Sequence, residues 1–532
     1  MSNDRYDAIV VGGGHNGLVN GAYLARAGLK TLILERRHLV GGAAITEELR
    51  PGFWFTTFSY ALSLLRPQII QELQLTKHGF LPLLMSTRFA PGNDGEYLLF
   101  NRDHDETLRE IARLSPHDAD GYEQYSHDLD RVCQAIKPLF DSVPPDLFSD
   151  DPEELVALAA VGSRLRSLDK RTLHNAVRLL TGSIADFLDD YFESPLLKGY
   201  LASSGIIGSK VGPRSQGSGL VLLFHSMGEH DGEFGSWAFH KGGNGGFTQV
   251  LARAAEAFGA EIRTEAPVER VLTRDGEATG VALSDGTEIS AGVVVSALDP
   301  RRTFLELVDP RELPDDLVED IRRLKFRGVS SKVNFALDAL PSHPVLGARP
   351  DLYRGFMNIG PSMDYLEHAF DDAKYGWYSE HPYIDCAIQS TIDPDMAPPG
   401  QHVLSCFVQY TPYELRESDW DAEREPMADR VQATLERFFP GFSDLVLLRE
   451  VQTPLDIERT VGLSEGNIFA GEFLAPQMYF FRPAPGWSQY RTPIAGYYQC
   501  GSGTHPGGCV IGAPGRLAAS QILGDRQRAT ES

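Results

Sequence analysis

The sequence predicts an α/β fold of two domains, one of them assembled from stretches far apart in the chain, and three observations predict it. A glycine-punctuated strand–turn–helix opens the chain at residues 7–27. Two further glycine clusters, at 242–246 and 501–508, each lead into a helix. Between these lie two long intervals, 71–230 and 301–490, the first helical by apolar spacing and the second mixed. A chain of 532 residues exceeds the size at which a single hydrophobic core stops growing, so at least two domains are required.

The apolar run at 7–11 reads as a buried strand, and 18–27 carries helical periodicity. Gly12 permits a tight turn. Gly14 lets backbone N–H groups approach a pyrophosphate, and Gly17 allows close helix–strand packing with the helix N-terminus aimed at the anion. The next apolar run, 31–34, ends at Glu35, eighteen residues past Gly17. That is close to the spacing of about 20 at which a carboxylate accepts from an adenosine ribose. Gly41 and Gly42 form a second close-approach pair. Of the aromatics Phe53, Trp54, Phe55, Phe58 and Tyr60, at least half suit a core strand face and the others a cavity wall.

Farther along, helices are expected over 107–114, 121–140, 152–168, 171–190 and 195–203, a loop over 141–152, and a core segment at 219–224. The glycines at 242–246 open a helix over 247–258. Short strands follow at 261–264 and 268–272, then a hairpin over 280–287 turning at Asp285-Gly286, and a buried strand over 291–298. The second interval holds strands at 329–337 and 402–410 and a helix over 421–439. A strand ending at Cys500, the glycines of 501–508 and a helix over 516–523 close the pattern.

Composition excludes several functions. With 42% hydrophobic and 23% charged residues, the chain is ordinary and globular. A net charge of −24 opposes nucleic acid and polybasic membrane anchoring, so any membrane contact would be peripheral and apolar. No apolar stretch approaches the roughly 18 residues of a transmembrane helix. The N-terminus reaches its first strand without a leader pattern, and a cytoplasmic protein is expected. Cys133, Cys386, Cys406, Cys500 and Cys509 include no Cys-x-x-Cys pair, so neither a zinc site nor a redox dithiol follows, and Cys509 reads as a small buried hydrophobe. His225, His230 and His240, near Glu229 and Glu233, lack ligand spacing, and no metal is expected. Lys241 suits either a flavin contact or solvent.

The sequences Gly13-Gly14-His15-Asn16-Gly17-Leu18, Gly41-Gly42, Gly242-Gly243-Asn244-Gly245-Gly246 and Gly503-Thr504-His505-Pro506-Gly507-Gly508, with Glu35, span the whole chain. In that order they resemble the phytoene desaturase superfamily of FAD-dependent oxidoreductases. His15-Asn16, residues 42–48 and Phe480-Phe481-Arg482-Pro483 look closest to a branch named for a pyridine nucleotide-disulphide oxidoreductase domain. The resemblance implies a glutathione-reductase-type Rossmann FAD-binding domain (1–70, 231–300, 491–532) and a discontinuous α+β substrate domain (71–230, 301–490). It implies that Gly12, Gly14, His15, Asn16 and Gly17 surround the pyrophosphate, with Glu35 at the ribose and Arg36, Gly41, Gly42 and Ala43 among the cofactor contacts. Val268 would lie near the adenine. Gly501, Gly503, Thr504, Pro506, Gly508 and Val510 would pass the isoalloxazine, where a positive helix end stabilises the reduced ring. Ser502 stands where many related flavoproteins carry an acid.

A flavin accepts hydride at N5, while the protein positions the donor carbon and sets the electrostatics. The resemblance implies a hydrophobic substrate such as a polyene, terpenoid or lipid, with oxygen or a quinone as electron acceptor. His505, nearest the ring by resemblance, is the candidate to take a proton, its alternative role being to hold the loop by hydrogen bonds. Two other functions fit the same plan: an amine or amino-acid oxidase, and a flavoprotein that mainly binds a partner.

Overall fold

A computed structural model describes residues 5–230, 233–347 and 349–531. Its first sheet has a parallel part in the order Glu261–Arg263, Thr31–Leu34, Arg5–Val11, Glu288–Ser296, and Tyr497–Gln499 pairs in parallel with the end of Glu288–Ser296. From Glu288–Ser296 the sheet continues antiparallel through Glu277–Leu283 to Val268–Arg274. The parallel strands are continuous apolar runs because both of their faces are covered. Ala8, Val10, Ile33, Val293 and Val295 pack in one core with residues of helices His15–Arg26, Gly243–Ala257 and Ala513–Glu531. Ile9, Val11, Leu32, Leu34 and Val294, alternating with these, pack in another with Phe304, Leu317 and Ile321.

The second sheet also has seven strands, in the order Val446–Gln452, Ser330–Leu337, His402–Gln409, Tyr383–Ile388, Gly355–Ile359, Thr87–Pro91, Tyr97–Asn101. One face packs Val333, Phe335, Ile384, Cys386 and Cys406 against Trp420, Val431 and Leu435 of helix Trp420–Phe438. Strand alternation therefore turns Lys332, Asn334, Asp385, Ser405 and Phe407 to the opposite face.

The interval 71–230 is not wholly helical as expected: Thr87–Pro91 and Tyr97–Asn101 end the second sheet. The helix expected over 171–190 is two, Lys170–Thr181 and Ile184–Asp189. Gly182 between them is extended, and Ser183 caps the second by accepting from the Asp186 N–H. The strand beginning at Val268 runs on to Arg274 and turns back at Asp275 and Gly276. The Asp285-Gly286 hairpin stands as read. Among the described residues no helix is long and apolar enough to cross a membrane.

Candidate active site

One cavity runs from the first glycine turn to the polar face of the second sheet. At the turn, helix His15–Arg26 starts at Gly14 with no side-chain cap and no acid in its first turn, so its positive end opens on the cavity. A Cβ on Gly42 would come within 3.2 Å of the Gly14 Cα, which keeps both backbones bare here. Glu35 Oε2 accepts from the Gly13 N–H and Oε1 from the Arg37 N–H, both at 2.9 Å. These bonds aim the carboxylate along the cavity wall with lone pairs to spare.

Two buried polar atoms here, His15 Nε2 and Asn16 Oδ1, have no partner within the protein. Buried groups are seldom left so, and a polar ligand in this cradle satisfies them. Burial also holds His15 neutral, lowering its pKa to about 4 against a backbone bond at Cys509. Gly12, Gly17, Arg36, Gly41, Gly42, Ala43 and Val268 line the same cavity, and Arg36 Nη2 donates to the Thr460 carbonyl at 2.7 Å. This cradle fits FAD.

The C-terminal loop divides. Ser502, Cys509 and Val510 line the cavity, and Ser502 Oγ accepts from Asn16 Nδ2 at 3.2 Å. Gly501, Gly503, Thr504, Pro506 and Gly508 do not line it and instead pack the loop from behind. A Cβ on Gly501, Gly503 or Gly508 would lie 2.4, 2.2 or 2.5 Å from Leu298 O, Pro300 Cδ or Phe469 Cα. Thr504 Oγ1 donates to the Gly501 carbonyl at 2.8 Å.

His505, the candidate base, requires correction. It is wholly buried off the cavity, with Nε2 3.1 Å from the Leu139 carbonyl and its ring among Phe140 and Tyr479. Burial lowers its pKa to about 3. It holds the loop and does not line the cavity.

Arg482 holds that loop too. Burial lowers its pKa to about 9, and its guanidinium donates only to backbone carbonyls and the Met478 sulfur, including Phe469 O at 2.6 Å, Ser502 O at 2.9 Å and Thr504 O at 3.2 Å. Arg482→Met should therefore lower stability by about 1–3 kcal/mol, the cost of leaving buried carbonyl acceptors without their donor. Thermal melting followed by flavin absorbance should show the flavin released at a lower temperature than in the parent.

At its other end the cavity is walled by Tyr60, Trp237, Phe356 and Phe407, with Lys332 and Asp385 among them. Lys332 Nζ donates to Ser405 Oγ at 2.5 Å and lies 3.8 Å from the Tyr60 ring centre. Burial lowers its pKa to about 7 against the pull of Glu450 and Asp385. Asp385 accepts from the Tyr60 hydroxyl and from Asn358 Nδ2, each at 2.8 Å. Burial raises its pKa to about 7 in spite of these bonds. A lysine that gives up its proton near neutrality, in an aromatic-walled space, can accept a proton from a bound molecule.

Four of the five early aromatics are buried in core clusters, Phe53 and Phe55 wholly so, while Phe58 and Tyr60 also line the cavity; Trp54 is exposed. Lys241 takes the solvent side of its two expected places: it does not line the cavity, and its half-exposed side chain pairs with Asp393 at 2.6 Å and Asp395 at 2.5 Å. His225 lines the cavity with its Nε2 3.8 Å from Cys509 Sγ. His240 is bound to backbone at Lys241 and Leu81, and the side chains of His230 and Glu233 lie outside the described residues. Lys332 and Asp385 went unread in the sequence. Each is the single charge in an otherwise uncharged strand, 330–337 and 383–388, and that was the available signal.

The sequence profile of the family described as "Flavin containing amine oxidoreductase" matches residues 17–523. Pyridine nucleotide-disulfide oxidoreductase domain-containing protein 2 of Rattus norvegicus is 41% identical, over 98% of this chain and 94% of its own. A phytoene desaturase (lycopene-forming) of Paracoccus is 25% identical over 97% of each chain. Among solved structures, putrescine oxidase bound to putrescine superposes with a TM-score of 0.60 at 17% identity, over 98% of this chain and 99% of that one, a likeness of fold.

Proposed function

Because the chain belongs to the flavin containing amine oxidoreductase family and is an FAD-dependent oxidoreductase, we propose that it takes hydride from a C–H bond of a hydrophobic small molecule, such as a polyene, terpenoid or lipid. The observation that carries this reading is the single cavity with a phosphate cradle at one end and, at the other, aromatic walls around a lysine held near neutrality. FAD supplies the hydride acceptor. Gly12, Gly14, His15, Asn16 and Gly17 hold its pyrophosphate, Glu35 its ribose, and Val268 packs by the adenine. Ser502, Cys509 and Val510 flank the ring. Tyr60, Trp237, Phe356 and Phe407 exclude water and orient the donor carbon, while Lys332 Nζ receives the proton that leaves the substrate. We assign the first sheet to a glutathione-reductase-type FAD domain (1–70, 231–300, 491–532) and the second to the substrate domain (71–230, 301–490), with oxygen or a quinone taking the electrons.

Asp385 favours a second reading, since a buried carboxylate beside the Tyr60 ring could receive an ammonium group. Anaerobic addition of polyenes, terpenes and amines to the yellow protein separates the two. Bleaching of the flavin by the hydrocarbons is expected, with recovery in air or on adding a quinone. Bleaching by amines alone would replace the first reading with that of an amine oxidase.

A further inference from the structure

A second cavity meets the first at a wall formed by Ile207, His225, Trp237, Phe356 and Asp385, residues that line both. Its own surface carries Arg88, on strand Thr87–Pro91, among Tyr122, Tyr200, Ser203 and Asn358. Nothing in the proposed oxidation uses these groups.

Arg88 is surrounded by protein, yet among the described residues no carboxylate lies within ion-pair distance of it. Its guanidinium donates through Nη2 to the Gly235 carbonyl at 3.0 Å and meets the Tyr200 hydroxyl, which uses fewer than its five N–H groups. Asp385, the acid whose charge reaches it, already accepts from Tyr60 and Asn358. A buried cation without a counter-ion is costly, and a site that maintains one in a cavity suits an incoming anion. The planar fork of arginine matches a carboxylate in bidentate fashion, with the Tyr122 and Tyr200 hydroxyls beside it. Nearby Asp385 favours a monoanion over a phosphate, whose second charge it would repel.

We propose that Arg88 and Tyr200 form an anchoring subsite for the carboxylate of a hydrophobic acid, whose apolar chain passes Trp237 and Phe356 into the FAD cavity. This rests on reading the first cavity as the hydrophobic substrate site, and it narrows the substrate to one with an acid group at the end remote from the flavin. Arg88 is here a specificity-determining residue and takes no part in hydride or proton transfer.

Calorimetric titration of the FAD-bound protein with decanoate, decanol, decylamine and decyl phosphate tests it. Decanoate should bind about 10- to 100-fold tighter than decanol, the ratio expected for a hydrogen-bonded charge. Arg88→Gln should abolish that ratio while leaving decanol affinity and the flavin spectrum as they were. Should Arg88→Gln fail to fold, Arg88→Lys and Tyr200→Phe serve: each should weaken decanoate several-fold and leave decanol unchanged. Equal affinity for decanoate and decanol, tighter binding of decylamine or decyl phosphate, or an undiminished carboxylate preference in the variants would overturn the proposal. Calorimetry does not depend on turnover. A carboxylate preference that vanishes with Arg88, in a protein whose flavin no hydrophobic compound bleaches, would support the subsite and refute the oxidation reading alone.

Discussion

Lys332→Met is expected to slow anaerobic bleaching of the flavin by substrate by about 10²- to 10³-fold, the range for a positioned proton acceptor, while the oxidised flavin spectrum stays that of the parent. The side chain it replaces is the cavity's only lysine, and burial lowers its pKa to about 7. The fold should tolerate the change. Methionine fills a similar volume, and Ser405, which loses its bond from Nζ, still donates to Asn334 Oδ1 at 2.8 Å. The pH dependence has a definite sign: the neutral amine is the acceptor, so the parent's bleaching rate should rise as pH passes upward through about 7. Asp385 titrates in the same range, so the inflection belongs to the pair, and the variant should lose only the part due to the amine. Lys332→Arg should not rescue the rate, since a guanidinium remains charged at every accessible pH. A methionine variant within threefold of the parent, with the same pH profile, would remove Lys332 from the mechanism.

The two ends of the cavity were unequally legible, for a physical reason. The proposed cofactor cradle is made by backbone, and backbone that must turn tightly or approach a phosphate demands glycine at fixed spacing. Gly12, Gly14, Gly17 and Glu35 therefore announce themselves within one strand–turn–helix. The proposed substrate wall is made by side chains that meet only after folding: Tyr60, Lys332 and Asp385 lie on three separate segments and touch at the second sheet. No local spacing relates them. The misreading of His505 has the same origin. Part of its glycine-rich neighbourhood lines the cavity, but which residues of the loop face inward depends on Phe469, Pro300 and Arg482, far off in sequence or invisible in local pattern.

Secondary structure was recoverable where one period persisted and was lost where chain partners set the outcome. Pro195–Ser203 coincides with its expected helix, Proline-led and capped by Ser194. The strands Thr87–Pro91 and Tyr97–Asn101 pair with each other as a local hairpin that the helical reading of this interval passed over, and only Thr87–Pro91 takes a distant partner, Gly355–Ile359, more than 250 residues later. The break at Gly182 was likewise hidden, since apolar spacing runs on through Ile184 and Leu188 into the same core.

Gly17→Ala should yield a protein that loses its FAD, a result opposite to what helix propensity alone implies. In a helix interior alanine is favoured over glycine by about 1 kcal/mol. At Gly17, however, the new Cβ would lie 2.1 Å from the Gly12 carbonyl oxygen and 3.1 Å from the Ala297 Cβ. Neither neighbour is a flexible side-chain end, so the helix must lift from the turn that the strand Arg5–Val11 feeds, moving the uncapped N–H groups away from the cofactor phosphates. Overpacking of this kind costs about 1–3 kcal/mol. Borne by the bound state, that cost corresponds to roughly 5- to 150-fold weaker FAD binding. Gly162→Ala supplies the control: it too is helical, in Pro152–Arg166, but its Cβ would meet nothing within 4 Å. That variant should stay yellow and melt no lower than the parent. The readouts are the ratio of flavin to protein absorbance after dialysis and the melting temperature with and without excess FAD, which should recover part of the loss in Gly17→Ala by mass action. A Gly17→Ala protein as yellow and as heat-stable as the parent would mean that the helix start does not bear on the cofactor, and the cradle at Gly12, Gly14 and Glu35 would have to be reassigned.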